Sequence, residues 1–145
     1  KREIELSRRK GQKFCVLMLD IDRFKLVNDQ YGHDVGDRVL QTIAGVLMGH
    51  VRASDFVFRY GGEEFLIVLA ESDTEQAMQV AEKIRQRIGQ TSIPLPDERS
   101  LAVTASIGVA GFDGHPDFQN LLNRADKAMY EAKNGGRNRC FVASS

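Results

Sequence analysis

The run Phe14-Cys15-Val16-Leu17-Met18-Leu19 is the strongest constraint on the fold, because an unbroken apolar stretch offers water neither of its faces. Bounded by Lys13 and Asp20, it has the length of a strand rather than a helix, and it reads as a strand buried in the middle of a sheet. Everything else in the chain has to be arranged around it.

Downstream, Ile21, Phe24 and Val27 recur at helical spacing over residues 21–30, and after the turn YGHDVGD a second helix is expected over about residues 34–50. Two strands, about 55–60 and 64–70, form a hairpin across Gly61-Gly62, a pair suited to a two-residue primed turn. Ala77, Val80, Ala81, Ile84 and Ile88 then share one stripe of an amphipathic helix. TSIPLPDERS, with two of the three prolines, reads as a loop, LAVTASIGVAGF as a strand, HPDFQNLLNRADKAMYEAKNGG as a helix, and RNRCFVA as a short last strand. Residues 1–10 read as an exposed helix end broken by Gly11-Gln12. The order β-α-α-β-β-α-β-α-β predicts an α+β domain, a central antiparallel-rich sheet of about five strands with flanking helices packed on one face, related to the ferredoxin-like split βαβ plan.

A length of 145 residues suits one domain with its own core. Twenty basic and twenty acidic side chains cancel, which removes any global field for a nucleic acid polymer or an anionic membrane, so phosphate binding must be local. No apolar run approaches the roughly 20 residues of a membrane helix. Cys15 and Cys140 lie in strand-like surroundings without ligand spacing and read as reduced thiols of a cytoplasmic protein. The chain opens on Lys1-Arg2-Glu3 and is expected to be the C-terminal piece of a longer protein.

Chemistry concentrates at the hairpin. A turn explains Gly61 and Gly62 but not Glu63 and Glu64, whose carboxylates repel each other and are costly to desolvate without a cation. Asp20, where the buried strand ends, and Asp22 are either N-caps of the following helix or, for Asp20, an oxygen ligand. Oxygens from a strand end and a neighbouring hairpin suit Mg²⁺ bound to a phosphate chain, and the first amides of that helix, around Phe24 and Lys25, suit phosphate oxygens. Strand parity points Glu63 and Glu64 to opposite faces, so both reach one site only if the strand bends there.

RYGGEEF, preceded by DIDRFKLVNDQYGHDVGD and followed by SIGVA and RADKAMYEAKNGGRN, resembles the GGDEF family of diguanylate cyclases in its GGEEF form, in the family's order and over nearly the whole chain. The resemblance implies condensation of two GTP into cyclic di-GMP and two pyrophosphates, on a fold similar to the class III adenylyl cyclase domain and the polymerase palm. It implies two Mg²⁺ ions per GTP, or Mn²⁺, held by Asp20 and Glu63 with the Ile21 carbonyl and Glu64, and Glu63 helping to deprotonate the attacking 3′-hydroxyl. Asn28 and Asp37 would read the guanine edge, Leu40 would line the base pocket, and Lys133 and Arg137 would hold the terminal phosphates. Asn and Asp also suit guanine's mixed donor and acceptor edge on chemical grounds, against an alternative in ordinary turn chemistry.

Arg52-Ala53-Ser54-Asp55 stands where the family carries an RxxD product-inhibition site, with Lys83 in place of a second arginine. A straight strand would put Arg52 roughly 25–30 Å from the turn, too far to share the metals. The family further implies a homodimer for turnover and an upstream sensor or receiver domain. The family's usual Asp-x-Leu-Thr-x-Leu-x-Asn-Arg-Arg segment is not in this sequence. Rival readings are a catalytically silent GGDEF domain that binds nucleotide or protein, and a cyclase using ATP.

Overall fold

The computed structural model describes residues 13–144; the helix end expected over residues 1–10 lies outside them. Strand β1 (Phe14–Ile21) is buried at every position and is the middle of a five-stranded sheet in the order β2-β3-β1-β6-β7. Its outer neighbours are β2 (Phe56–Arg59), β3 (Glu64–Ala70), β6 (Ala105–Gly111) and β7 (Arg139–Val142). All pairings are antiparallel except β6 with β7, where an intervening helix returns the chain in the same direction.

The helices cover both faces of the sheet, not one. Cys15, Leu17, Leu19 and Ile21 join a core closed by α1 (Phe24–Tyr31), α2 (His33–Met48) and α3 (Thr74–Gln90) through residues such as Val39, Ile43, Ala81 and Ile84. Phe14, Val16 and Met18 join a second core closed by α4 (Phe118–Asn134) through Leu121, Leu122, Ala125 and Met129. A single helical layer would have left the second set in water, at about 1.5–3 kcal/mol for each large side chain.

Three local expectations also change. Ile21 belongs to β1, and α1 starts at Phe24 after Arg23 in a left-handed conformation, with no side-chain cap. Neither Asp20 nor Asp22 is therefore an N-cap. The segment read as a plain loop holds a small hairpin, β4 (Ile93–Pro94) with β5 (Ser100–Leu101), because Ile93 and Leu95 are buried anchors; β6 begins only at Ala105. Finally, the β2–β3 connection is four residues, Tyr60 to Glu63, with the Tyr60 amide donating to the Glu64 carbonyl at 2.8 Å and the Arg59 guanidinium to the Gly62 carbonyl at 2.7 Å. Neither Gly61 nor Gly62 has positive φ, so the turn is not a primed one. A Cβ at Gly62 would stand in open space, which leaves the outer side of the turn unobstructed.

The sheet topology brings the end of β1, the start of β3, the start of α1 and the end of α4 to one edge of the molecule. Helix α3 opens with a reciprocal Asp73–Gln76 capping box and runs along the same core face toward the loop before β7. Both cysteines are free and buried, and burial pushes each thiol up to about 12. No helix among the described residues is long and apolar enough to cross a membrane.

Candidate active site

Asp20 stands directly opposite Glu64 of β3 and Ser106 of β6, and only 2% of it is exposed. Its Oδ2 accepts from Lys133 Nζ at 2.8 Å, while its buried Oδ1 has no partner. A carboxylate oxygen removed from water without a hydrogen bond is costly, and it is a ready acceptor for a cation.

Glu63 belongs to the connection and Glu64 opens β3, so strand parity never governs the pair and both carboxyls lie against Asp20. Burial first, and then the Asp20 charge, raise the Glu63 carboxyl above its ordinary value, against the lowering pull of Lys133. Glu64 is raised by the same two causes in the same order, and further by Asp126. The Ile21 amide donates to the Glu63 carbonyl at 3.3 Å, which ties the hairpin to the strand end. Three acids against one lysine make a strongly negative, half-buried pocket that gains from added positive charge.

Among the described residues no set of three or more His, Cys, Asp or Glu side chains closes into a metal centre. The donor set nevertheless fits a hard cation that keeps part of its coordination for substrate and water: all its side-chain donors are oxygens, and one of them is orphaned. Lys133, in the last turn of α4, brings positive charge to the same edge, and Arg137 follows in the loop whose Asn138 amide meets Asp22. The uncapped start of α1 leaves the amides near Phe24 and Lys25 without a competing side-chain acceptor.

Beside this edge a groove of about 440 Å³ runs between α2 and the hairpin strands, lined by Asp37, Leu40, Gln41, Met48, Arg59 and Phe65 among others. Asn28 of α1 does not line this groove; its carboxamide lies over Gly36, the residue before Asp37, in space that any Cβ at Gly36 would fill. Arg59, Phe65 and Met48 were not singled out from sequence, because a turn-flanking arginine and two core-like apolar residues carry no motif of their own.

Asp22 also escaped a role. It is buried, and it accepts from Thr104 Oγ1 at 2.6 Å, Ser106 Oγ at 2.7 Å and the Asn138 amide at 3.0 Å. Ser106 and Asn138 both fall within stretches, SIGVA and KNGGRN, that carried the family resemblance.

Arg52 and Asp55 lie at the far end of β3 from Glu64. The Asp55 carboxylate accepts from the Arg52 amide at 2.7 Å and the Ala70 amide at 2.9 Å, and it pairs with the Arg52 guanidinium at 3.3 Å. Arg52 also donates to the Ala70 carbonyl, yet its side chain stays 58% exposed along a groove of about 240 Å³ that Gln76, Gln79 and Val80 complete. Lys83 is not brought to this groove; it lines a neighbouring one with Met78, Glu82 and Val142.

The family model "Diguanylate cyclase, GGDEF domain" matches residues 1–139. Diguanylate cyclase DosC of Escherichia coli K12 is 45% identical over 139 residues, which is 96% of this chain and 30% of that protein. Diguanylate cyclase A of Treponema denticola is 42% identical over 143 residues, 98% of this chain and 38% of that protein, so the chain spans about a third of these relatives. Among solved structures, the GGDEF domain of DgcB from Caulobacter crescentus in complex with c-di-GMP superposes with a TM-score of 0.94 at 33% identity, covering 99% of this chain and 83% of that one. The active GGEEF domain of a Vibrio cholerae diguanylate cyclase does so with a TM-score of 0.91 at 36% identity, covering all of this chain and 92% of that one. With matching sequence and matching fold over nearly its whole length, this chain belongs to the GGDEF family of diguanylate cyclase domains.

Proposed function

We propose that the domain condenses two GTP molecules into cyclic di-GMP and two pyrophosphates, as the catalytic module of a longer cytoplasmic signalling protein with an upstream sensor or receiver domain. The observation that carries this reading is the partnerless, buried Oδ1 of Asp20 beside two carboxyls held above their ordinary range. Asp20, Glu63, Glu64 and the Ile21 carbonyl would hold Mg²⁺ or Mn²⁺, with two ions for each GTP. When bound, such ions neutralise the phosphate chain and make the 3′-hydroxyl easier to ionise.

The protein's own groups account for the rest. Asn28 and Asp37 hydrogen-bond the guanine edge and Leu40 packs on the base. The first amides of α1, near Phe24 and Lys25, together with Lys133 and Arg137, bind and orient the phosphates that leave as pyrophosphate. Glu63, with its affinity for protons raised, is placed to take the hydroxyl proton as the 3′-oxygen attacks the α-phosphate of the other nucleotide. One domain holds one GTP, so turnover requires a homodimer.

Arg52 and its groove form a second, product-binding site. The exposed guanidinium supports it, and binding cyclic di-GMP there uses Arg52 as the gripping group while Asp55 holds it in place. Lys83 contributes there only if α3 rearranges. Binding of c-di-GMP by the related DgcB domain supports product recognition by this fold.

Incubation with labelled GTP or ATP and Mg²⁺, followed by product analysis, tests the assignment. Cyclic di-GMP from GTP alone is expected, and Glu63→Gln should lower kcat by about 10²–10⁴-fold with the fold intact. Tight GTP binding without product would instead identify a silent nucleotide-binding module, and near-normal turnover by Glu63→Gln would remove Glu63 from the mechanism.

A further inference from the structure

We propose that Asp22 is a positioning residue whose buried carboxylate clamps the loop after α4, so that Lys133 and Arg137 face the Asp20 end of β1. The inference rests on the GTP reading above and names what sets the phosphate-binding half of that site.

The loop is held in an unfavourable shape. Arg137 and Asn138 are consecutive non-glycine residues at φ 64° and 48°, in the left-handed region that side chains disfavour. Such a conformation persists only where its surroundings over-determine it. Three contacts do so here. The Arg137 amide donates to the Ala132 carbonyl at 3.0 Å, the Asn138 amide to Asp22 Oδ2 at 3.0 Å, and Arg85 Nη1 of α3 to Asn138 Oδ1 at 2.9 Å.

Asp22 is suited to be the fixed point. Only 4% of it is exposed, and its own amide donates to the Thr104 carbonyl at 2.9 Å. Ser106 Oγ donates to Oδ1 and Thr104 Oγ1 to Oδ2, so the carboxylate is locked from the β6 side before it meets the loop. Asp20 and Asp22, two residues apart, thus divide the work at the end of β1: Asp20 pairs with Lys133 at 2.8 Å, and Asp22 grips the backbone a few residues beyond Lys133. Asp20 keeps a buried Oδ1 with no partner, whereas both oxygens of Asp22 are engaged by the protein.

The test compares binding of 3′-deoxy-GTP, which lacks the attacking hydroxyl, with binding of GMP, both with Mg²⁺, so that no turnover is needed. The wild-type domain should prefer the triphosphate. Asp22→Ala should reduce that preference about tenfold or more while GMP binding changes little, because only the terminal phosphates lose their holders. Asp22→Asn should keep most of it: an amide oxygen toward Asn138 and an NH₂ toward Ser106 reproduce all three contacts, whereas a metal-ligand role would not survive the change. Arg85→Ala loosens the same loop from its exposed side and serves if Asp22→Ala does not fold. Undiminished preference in the folded alanine variant, or loss in Asp22→Asn as large as in Asp22→Ala, overturns the clamp. A wild-type domain with no preference for the triphosphate overturns the GTP reading itself.

Discussion

At the scale of single residues, the site is bought with stability. Glu63 and Glu64 both have carboxyls raised by burial and by Asp20. Between the unfolded glutamate value near ~4.3 and the raised folded value, the native state binds more protons than the unfolded chain. Stability therefore falls as pH rises through that window and stays lowered above it. In metal-free buffer at pH 7, Glu63→Gln should raise the melting temperature, and the gain should vanish below about pH 4, where both states are protonated. Added Mg²⁺ should reverse the order, stabilising the wild type more than the variant. A Glu63→Gln protein that melts lower than wild type without metal would show that the pocket does not strain these carboxyls. The identities of Asp20, Glu63 and Glu64 were legible in sequence because charge beside apolar strands needs a reason. Their joint geometry was not, since the parity rule holds only for residues inside a strand, and whether Glu63 lies inside one depends on the turn.

At the scale of elements, the critical contact is α4 on β6. A Cβ at Gly108 would collide with the backbone of α4 at Ala125 and Met129, so this glycine sets how closely the helix lies on the sheet. Gly108→Ala should destabilise the fold by about 3 kcal/mol, read as a lower urea midpoint at unchanged slope. Because α4 carries Lys133, a folded Gly108→Ala domain should also bind GTP more weakly; full stability and affinity would mean the helix tolerates displacement. The sequence showed α4 plainly, through its Leu121, Leu122, Ala125 and Met129 stripe, but not the face it covers. That information lay in β1, whose run from Phe14 to Leu19 needs cover on both sides. The β4–β5 hairpin stayed hidden because proline-rich turn chemistry outweighed two isolated apolar anchors, Ile93 and Leu95.

At the scale of the molecule, the edge at the end of β1 joins residues more than a hundred positions apart in sequence, such as Asp22 and Asn138, and no local pattern reports such a contact. Their meeting follows only from the sheet order that sets β1 beside β6 and β6 beside β7. On the proposed reaction, this edge presents one set of acids, one groove and one loop, which is half of what a symmetric two-bond product requires. Under the proposed mechanism a second copy related by a twofold axis would supply the rest. Below the dimer dissociation constant, doubling the domain concentration should raise the cyclisation rate about fourfold. A mixture of wild type with excess Glu63→Gln gives a sharper outcome. A mixed pair retains one competent Glu63, so it forms one phosphodiester bond and stalls at the linear dinucleotide carrying a 5′-triphosphate. Linear product should accumulate as cyclic product declines. Cyclic di-GMP formed in simple proportion to the wild-type domain, with no linear species, would mean that each copy completes both bonds alone.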